Sequence, residues 1–139
     1  AEETSGAGER KTCFHARGAP KVGIASYLSR IRKHIPCSDS CFVIALVYIN
    51  RAAQKDPAVA VSHMTCHRLA ITSVMLATRF HDDEEELHYS NAFFAKVGGV
   101  GAAELGILER RFLELLGWRL YVSATEYDRY HKLVCNAAP

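Results

Sequence analysis

The 139-residue sequence predicts an all-α domain, with five core helices packed around a buried central one and a short helix at the flank. Three observations lead there. Apolar residues recur at helical rather than alternating spacing. The periodic segments are long enough for helices and are separated by proline, glycine or aspartate breaks. No stretch carries the period-two pattern of a half-buried strand, and no internal repeat is present.

Residues 1–19 are polar, with Gly6, Gly8 and Gly18, and are expected to form a flexible N-terminal arm; residues 20–139 are expected to form a single domain. The first helix begins near Ile24, where Ile24, Tyr27, Leu28, Ile31 and Ile35 line one face and Arg30, Arg32 and Lys33 lie off it. Pro36 ends it. Ser38 is a candidate N-cap for a second helix running to about Gln54 and apolar almost all round, from Phe42 through Leu46 to Ile49. Asp56-Pro57 breaks that helix, and a third, about Met64 to Phe80, is again mostly apolar. The second and third are expected to be the most buried, with Leu46 and Val74 inside.

His81 to Glu86 is acidic and reads as a solvated loop. A short helix from Asn91 to Val97 is stopped by Gly98-Gly99. The fifth helix, about Ala102 to Leu116, carries the stripe Leu105, Leu108, Phe112, Leu115 and Leu116, and Gly117 ends it. Ser123 to Glu126 matches a capping box, so a last helix follows, bearing Tyr127, Tyr130, Leu133 and Val134.

Composition narrows the function. Apolar residues make up 49% and charged residues 23%, as in a globular rather than a disordered chain. A net charge of +2 is too small a bias to suggest nucleic acid or an acidic membrane surface as partner. No apolar run reaches the roughly 20 residues of a membrane helix. The five cysteines, Cys13, Cys37, Cys41, Cys66 and Cys135, are odd in number and read as reduced thiols of an intracellular protein of the nucleus, the cytoplasm or both.

No chemical constellation is complete. His63 and His67 have the i, i+4 spacing of a zinc-protease helix, but Met64 stands where the general base would be. Cys37 and Cys41 share that spacing without two further ligands nearby and read as structural thiols. Tyr127, Tyr130 and His131 read as core and rim rather than a stacking platform. No nucleophile–base pair and no phosphate-binding glycine loop appears, so no catalytic residue, cofactor or metal is expected, and the chain is expected not to be an enzyme.

Three stretches carry a resemblance. Cys37 to Arg51 (CSDSCFVIALVYINR), His67 to Asp83 (HRLAITSVMLATRFHDD), and Tyr89 to Val100 (YSNAFFAKVGGV) followed by Ala103 to Leu105 and Leu108 to Leu113, resemble in order the second to fifth helices of a cyclin box. The details resemble the P/U-type cyclins, the class of the yeast phosphate-pathway cyclin, over residues 22 to about 130. The resemblance implies the cyclin-box fold and a regulatory subunit that activates a cyclin-dependent protein kinase by docking on its small lobe and C-helix. It also implies a contact pair. Arg79 falls where the family has a basic residue, usually Lys, and Glu109 at the matching Glu. Arg keeps the charge but changes the donor geometry. The apolar pocket beside the pair maps to Leu76, Leu113, Trp118 and Leu120. Leu113 lies about 110° off the centre of its helix's stripe, as a partner-facing residue would. Two other function classes stay open: a cyclin-fold transcription or nucleic-acid scaffold, and a metal-dependent hydrolase on His63 and His67.

Overall fold

The computed structural model describes residues 10–81 and 89–137. Its elements are α1 (Ile24–His34), α2 (Asp39–Lys55), α3 (Cys66–His81), α4 (Asn91–Gly98), α5 (Ala102–Leu116) and α6 (Ala124–Ala137), with a single 3-10 turn at Pro57–Val59. Among the described residues there is no strand. The fold is the expected all-α one, and the acidic run at 82–86 lies outside the described residues.

The central helix is α3, which packs against α1, α2, α4 and α5. Every residue from Leu69 to Thr78 is buried. Three of these are polar, and each spends its hydroxyl on its own helix. Thr72 donates to Arg68 O (2.7 Å), Ser73 to Ala70 O (3.1 Å) and Thr78 to Val74 O (2.8 Å). With those groups satisfied, α3 can be enclosed on all sides without an orphaned donor.

Helix α2 meets the expectation only in part. Val74 of α3 is buried, but Leu46 of α2 is 42% exposed. The reason is position: α2 packs on α3, α5, α6 and the 3-10 turn, and Leu46 lines an open hollow shared with Tyr130, Leu133 and Val134 of α6. Helix α6 covers Leu46 poorly because it buries none of its own residues. Tyr127 packs partly on the core, while Tyr130 stays at the rim and accepts a hydrogen bond from Asn50 Nδ2 (2.6 Å). Leu133 and Val134 are exposed rather than core.

The N-terminal segment is packed where it is described. Phe14 is fully buried, edge-on to Phe112 at 5.6 Å between centroids. Arg68 holds it there by donating to Cys13 O (2.9 Å) and to Glu104 Oε2 (2.6 Å). The polar composition of residues 1–19 hides this one aromatic anchor.

Two glycines divide the work at the end of α4. Gly98 is still helical, and a Cβ there would sit 2.6 Å from Ile71 Cγ1. Tyr27 OH donates to its carbonyl at 2.6 Å, so α1, α3 and α4 converge where only glycine fits. Gly99, at φ 67°, is the residue that ends the helix. At α6 the capping box is half made. Ser123 Oγ accepts from Glu126 N (3.1 Å), but the Glu126 carboxylate turns to Arg51 (2.6 Å) and ties α6 to α2 instead.

Candidate functional site

Near the end of α3 and the middle of α5, the two charged residues meet. Arg79, in the last turn of α3, donates from Nη1 to Glu109 Oε2 at 2.6 Å. Its Nη2 donates to Tyr89 O (3.2 Å) and to Asn91 Oδ1 (2.5 Å). The guanidinium carbon lies 5.2 Å from the centroid of the Phe94 ring. The side chains of Arg79 and Glu109 are 26% and 23% exposed, so the pair lies at the edge of the core with one side open. A planar fork serves three acceptors on two segments, α5 and the start of α4; an ammonium could not span them in the same way. Glu109 retains acceptor capacity, because a carboxylate offers about four lone-pair sites and, among the described residues, Arg79 and Asn91 Nδ2 at 3.5 Å draw on it.

The turn after α5 brings the apolar members in. Gly117 (φ 60°) and Trp118 (φ 61°) are both left-handed. Gly117 N donates to Glu114 O and Trp118 N to Leu113 O, each at 3.0 Å. This is the pairing of a Schellman stop, in which the residue after the glycine commonly touches the residue five back. Trp118 and Leu113 accordingly line one hollow, together with Glu109, Gly106, Ile107 and Arg110. The indole is 65% exposed.

The six expected site residues therefore separate. Arg79 and Glu109 are in contact, and Glu109, Leu113 and Trp118 share the hollow. Leu113 is buried rather than projecting, because α5 is flanked by α2, α3 and α4 and its covered arc is wider than its stripe. Leu120 lies on the other side of Trp118, half-buried against the core. Leu76 is fully buried and belongs to the core, not to a surface pocket. Sequence reasoning missed Asn91, Phe94 and Ile107. Ile107, 62% exposed, could have been found as an apolar residue off the α5 stripe. Nothing in the sequence marks Asn91 as a partner of Arg79.

The set-aside constellations are otherwise engaged. His67 Nε2 lies 2.6 Å from Val22 O, and its Nδ1 lies 3.4 Å from Cys66 Sγ. Burial pushes the Cys13 thiol up, away from a reactive thiolate. Among the described residues no two cysteines are joined by a disulfide, and no three His, Cys, Asp or Glu side chains converge on a possible metal position. No helix of the described residues is long and apolar enough to cross a membrane.

The Cyclin family model matches residues 2–120. The chain belongs to the cyclin family. It is 43% identical to Cyclin-U1-1 of Arabidopsis thaliana over 130 residues, 94% of this chain and 60% of that protein. It is also 43% identical to Cyclin-U4-1 of the same plant over 88% of this chain and 59% of the relative. To Cyclin-P1-1 of Oryza sativa subsp. japonica it is 37% identical over 94% of this chain and 50% of the relative. The chain thus spans between half and three-fifths of these curated relatives. The likeness to U- and P-type cyclins agrees with the all-helical architecture, and the cyclin family is regulatory rather than enzymatic.

Proposed function

We propose that this cyclin domain binds a cyclin-dependent protein kinase at the Arg79–Glu109 edge and activates it by holding the kinase C-helix inward. One observation carries the reading. A half-open ion pair, at the two positions where the family resemblance puts its contact pair, adjoins a hollow containing Leu113 and an exposed Trp118.

The physics follows from what a kinase needs. Its lysine–glutamate pair and its metal-binding aspartate must be placed together, and C-helix position controls both. A protein that binds the inward state better than the outward one shifts that equilibrium without any chemistry of its own. Glu109 supplies acceptor capacity for backbone N–H groups at the start of a helix, where unpaired donors and the positive end of the dipole coincide. Arg79, already spread over three intramolecular acceptors, orients that carboxylate. Trp118 supplies apolar area beside the charge, the arrangement of an interface anchor.

The test is binding of a purified cyclin-dependent kinase, first obtained by co-purification with the full chain. Glu109→Ala is expected to weaken binding at least about thirtyfold, since a truncated anchor costs about 2 kcal/mol or more. Glu114→Ala, on the open side of the same helix, is the control and should change little. Equal affinities for the two variants would remove the site from the reading. The added kinase should also phosphorylate a peptide substrate faster with wild-type chain than alone.

A further inference from the structure

We propose that Tyr48, Arg51 and His81 are positioning residues that clamp the segment after α5 and so present Trp118 as a pre-formed anchor. The inference rests on the kinase-docking reading and deepens it, by naming what holds the docking surface in shape.

Between α5 and α6 the chain has no regular structure, yet three successive carbonyls in it are caught by side chains of other helices. Arg51 Nη1 donates to Arg119 O and Arg51 Nη2 to Tyr121 O, both at 3.0 Å. Between them, Leu120 O accepts from Tyr48 OH at 2.6 Å and lies 2.8 Å from His81 Nε2. A carbonyl only accepts, so His81 is a second donor to Leu120 O in the tautomer that carries its proton on Nε2. Tyr48 OH lies 2.6 Å from the same nitrogen, which closes a triangle of phenol, imidazole and carbonyl. Burial pushes the Tyr48 phenol further up from its ordinary range, so it stays a donor at any working pH. Arg51 also reaches Glu126 Oε1 (2.6 Å), fixing both ends of the segment through one guanidinium.

Trp118 is the one non-glycine residue at positive φ among the described residues, and its indole is largely in solvent. A bulky residue in the left-handed region persists when its surroundings over-determine it. Here the backbone bond to Leu113 fixes one side of Trp118 and the three held carbonyls fix the other. An anchor already fixed before association spares the ordering cost that a mobile side chain and loop would lose on binding.

Trp118 is the only tryptophan in the chain, so its fluorescence reports the clamp directly. In the free 139-residue chain, Arg51→Met keeps the apolar stem and removes every donor. The expected result is lower Trp118 anisotropy, with a larger fast component in its time-resolved decay, and kinase affinity about three- to tenfold weaker. Arg51→Lys, able to serve one carbonyl but not both in the same fork, should recover part of each. Should Arg51→Met melt below the assay temperature, Tyr48→Phe makes the same measurement with one donor removed and no cavity. Unchanged Trp118 anisotropy in folded Arg51→Met, or in Tyr48→Phe where that is used, overturns the clamp. A loosened Trp118 with undiminished kinase binding, while Glu109→Ala does weaken it, overturns the anchor role. If Glu109→Ala and Trp118→Ala both bind as wild type, the docking reading itself has failed and the anchor role falls with it. The anisotropy still decides the clamp.

Discussion

Helices α3 and α6 both show apolar residues at helical spacing, α3 on nearly every side and α6 on one, and they have opposite fates. Helix α3 buries an unbroken run from Leu69 to Thr78 while α6 buries nothing. Arginine–glutamate bridges of 2.6 Å pin both: Arg68–Glu104 and Arg79–Glu109 tie α3 to α5, and Arg51–Glu126 ties α6 to α2. The difference is in the number of neighbours. Four helices surround α3, and among the described elements α6 lies on α2 alone. An apolar face states that a helix can be covered; it does not state what covers it. Stability therefore concentrates in α3, and the turn before α6 keeps Trp118 and Tyr121 at the surface.

The comparison breaks or sharpens in measurable ways. The largest effect belongs to the core of α3. Leu76→Ala should cost about 2–5 kcal/mol, read from denaturant unfolding, because a fully buried leucine leaves a cavity that the surroundings only partly fill. Leu133→Ala in α6 should stay within about 0.5 kcal/mol. Similar losses for the two would refute the contrast. Next is Gly98→Ala, at about 1–3 kcal/mol, because its Cβ would press on Ile71 within van der Waals distance. Gly18→Ala, with nothing within 4 Å, is the neutral control.

A smaller effect separates the fold from the surface. Trp118→Gly should leave stability within about 1 kcal/mol, as relief of the left-handed strain offsets lost contact and a floppier unfolded chain. It should still lower kinase affinity. A large stability loss would make Trp118 a core residue in energetic terms, against its exposure. The smallest effect is pH-dependent. At Glu104, burial raises the carboxyl pKa, but the Arg68 hydrogen bond and charge, with smaller help from Gly101 N and Arg17, bring it below its ordinary 4.5. A depressed folded pKa means that this stabilisation is present above the unfolded value and is lost as pH falls through the folded one. The difference in stability between wild type and Glu104→Gln should therefore shrink below about pH 4.5, by less than about 1 kcal/mol. A difference constant from pH 7 to 3 would remove the Arg68 bridge from the account.

The candidate site was legible in part. Arg79 and Glu109 meet as the family resemblance implied, 30 residues apart in the chain. Leu76, which the resemblance mapped to the apolar pocket, is fully enclosed, because α3 is covered on nearly every side. Leu113 was expected to project because its own helix was read without α2, α3 and α4 around it. Trp118 could be named from the resemblance, but not its left-handed backbone, which normally favours glycine. The clamp of Tyr48, Arg51 and His81 left no trace in the pattern, since its acceptors are backbone carbonyls and carry no residue identity.

What the sequence by itself determined is the set of helices, their breaks, and the enclosed character of α3. These depend on local spacing, on proline and glycine, and on apolar content, all of which act within one or two helical turns. What only the tertiary structure decided is coverage and convergence. Leu46 is exposed because α6 covers it poorly, Phe14 is core because Arg68 and Phe112 receive it, and Gly98 is glycine because Ile71 and Tyr27 crowd its Cα. Each of these depends on distances between segments remote in the chain, set by how the helices pack together, and no local pattern encodes a distance.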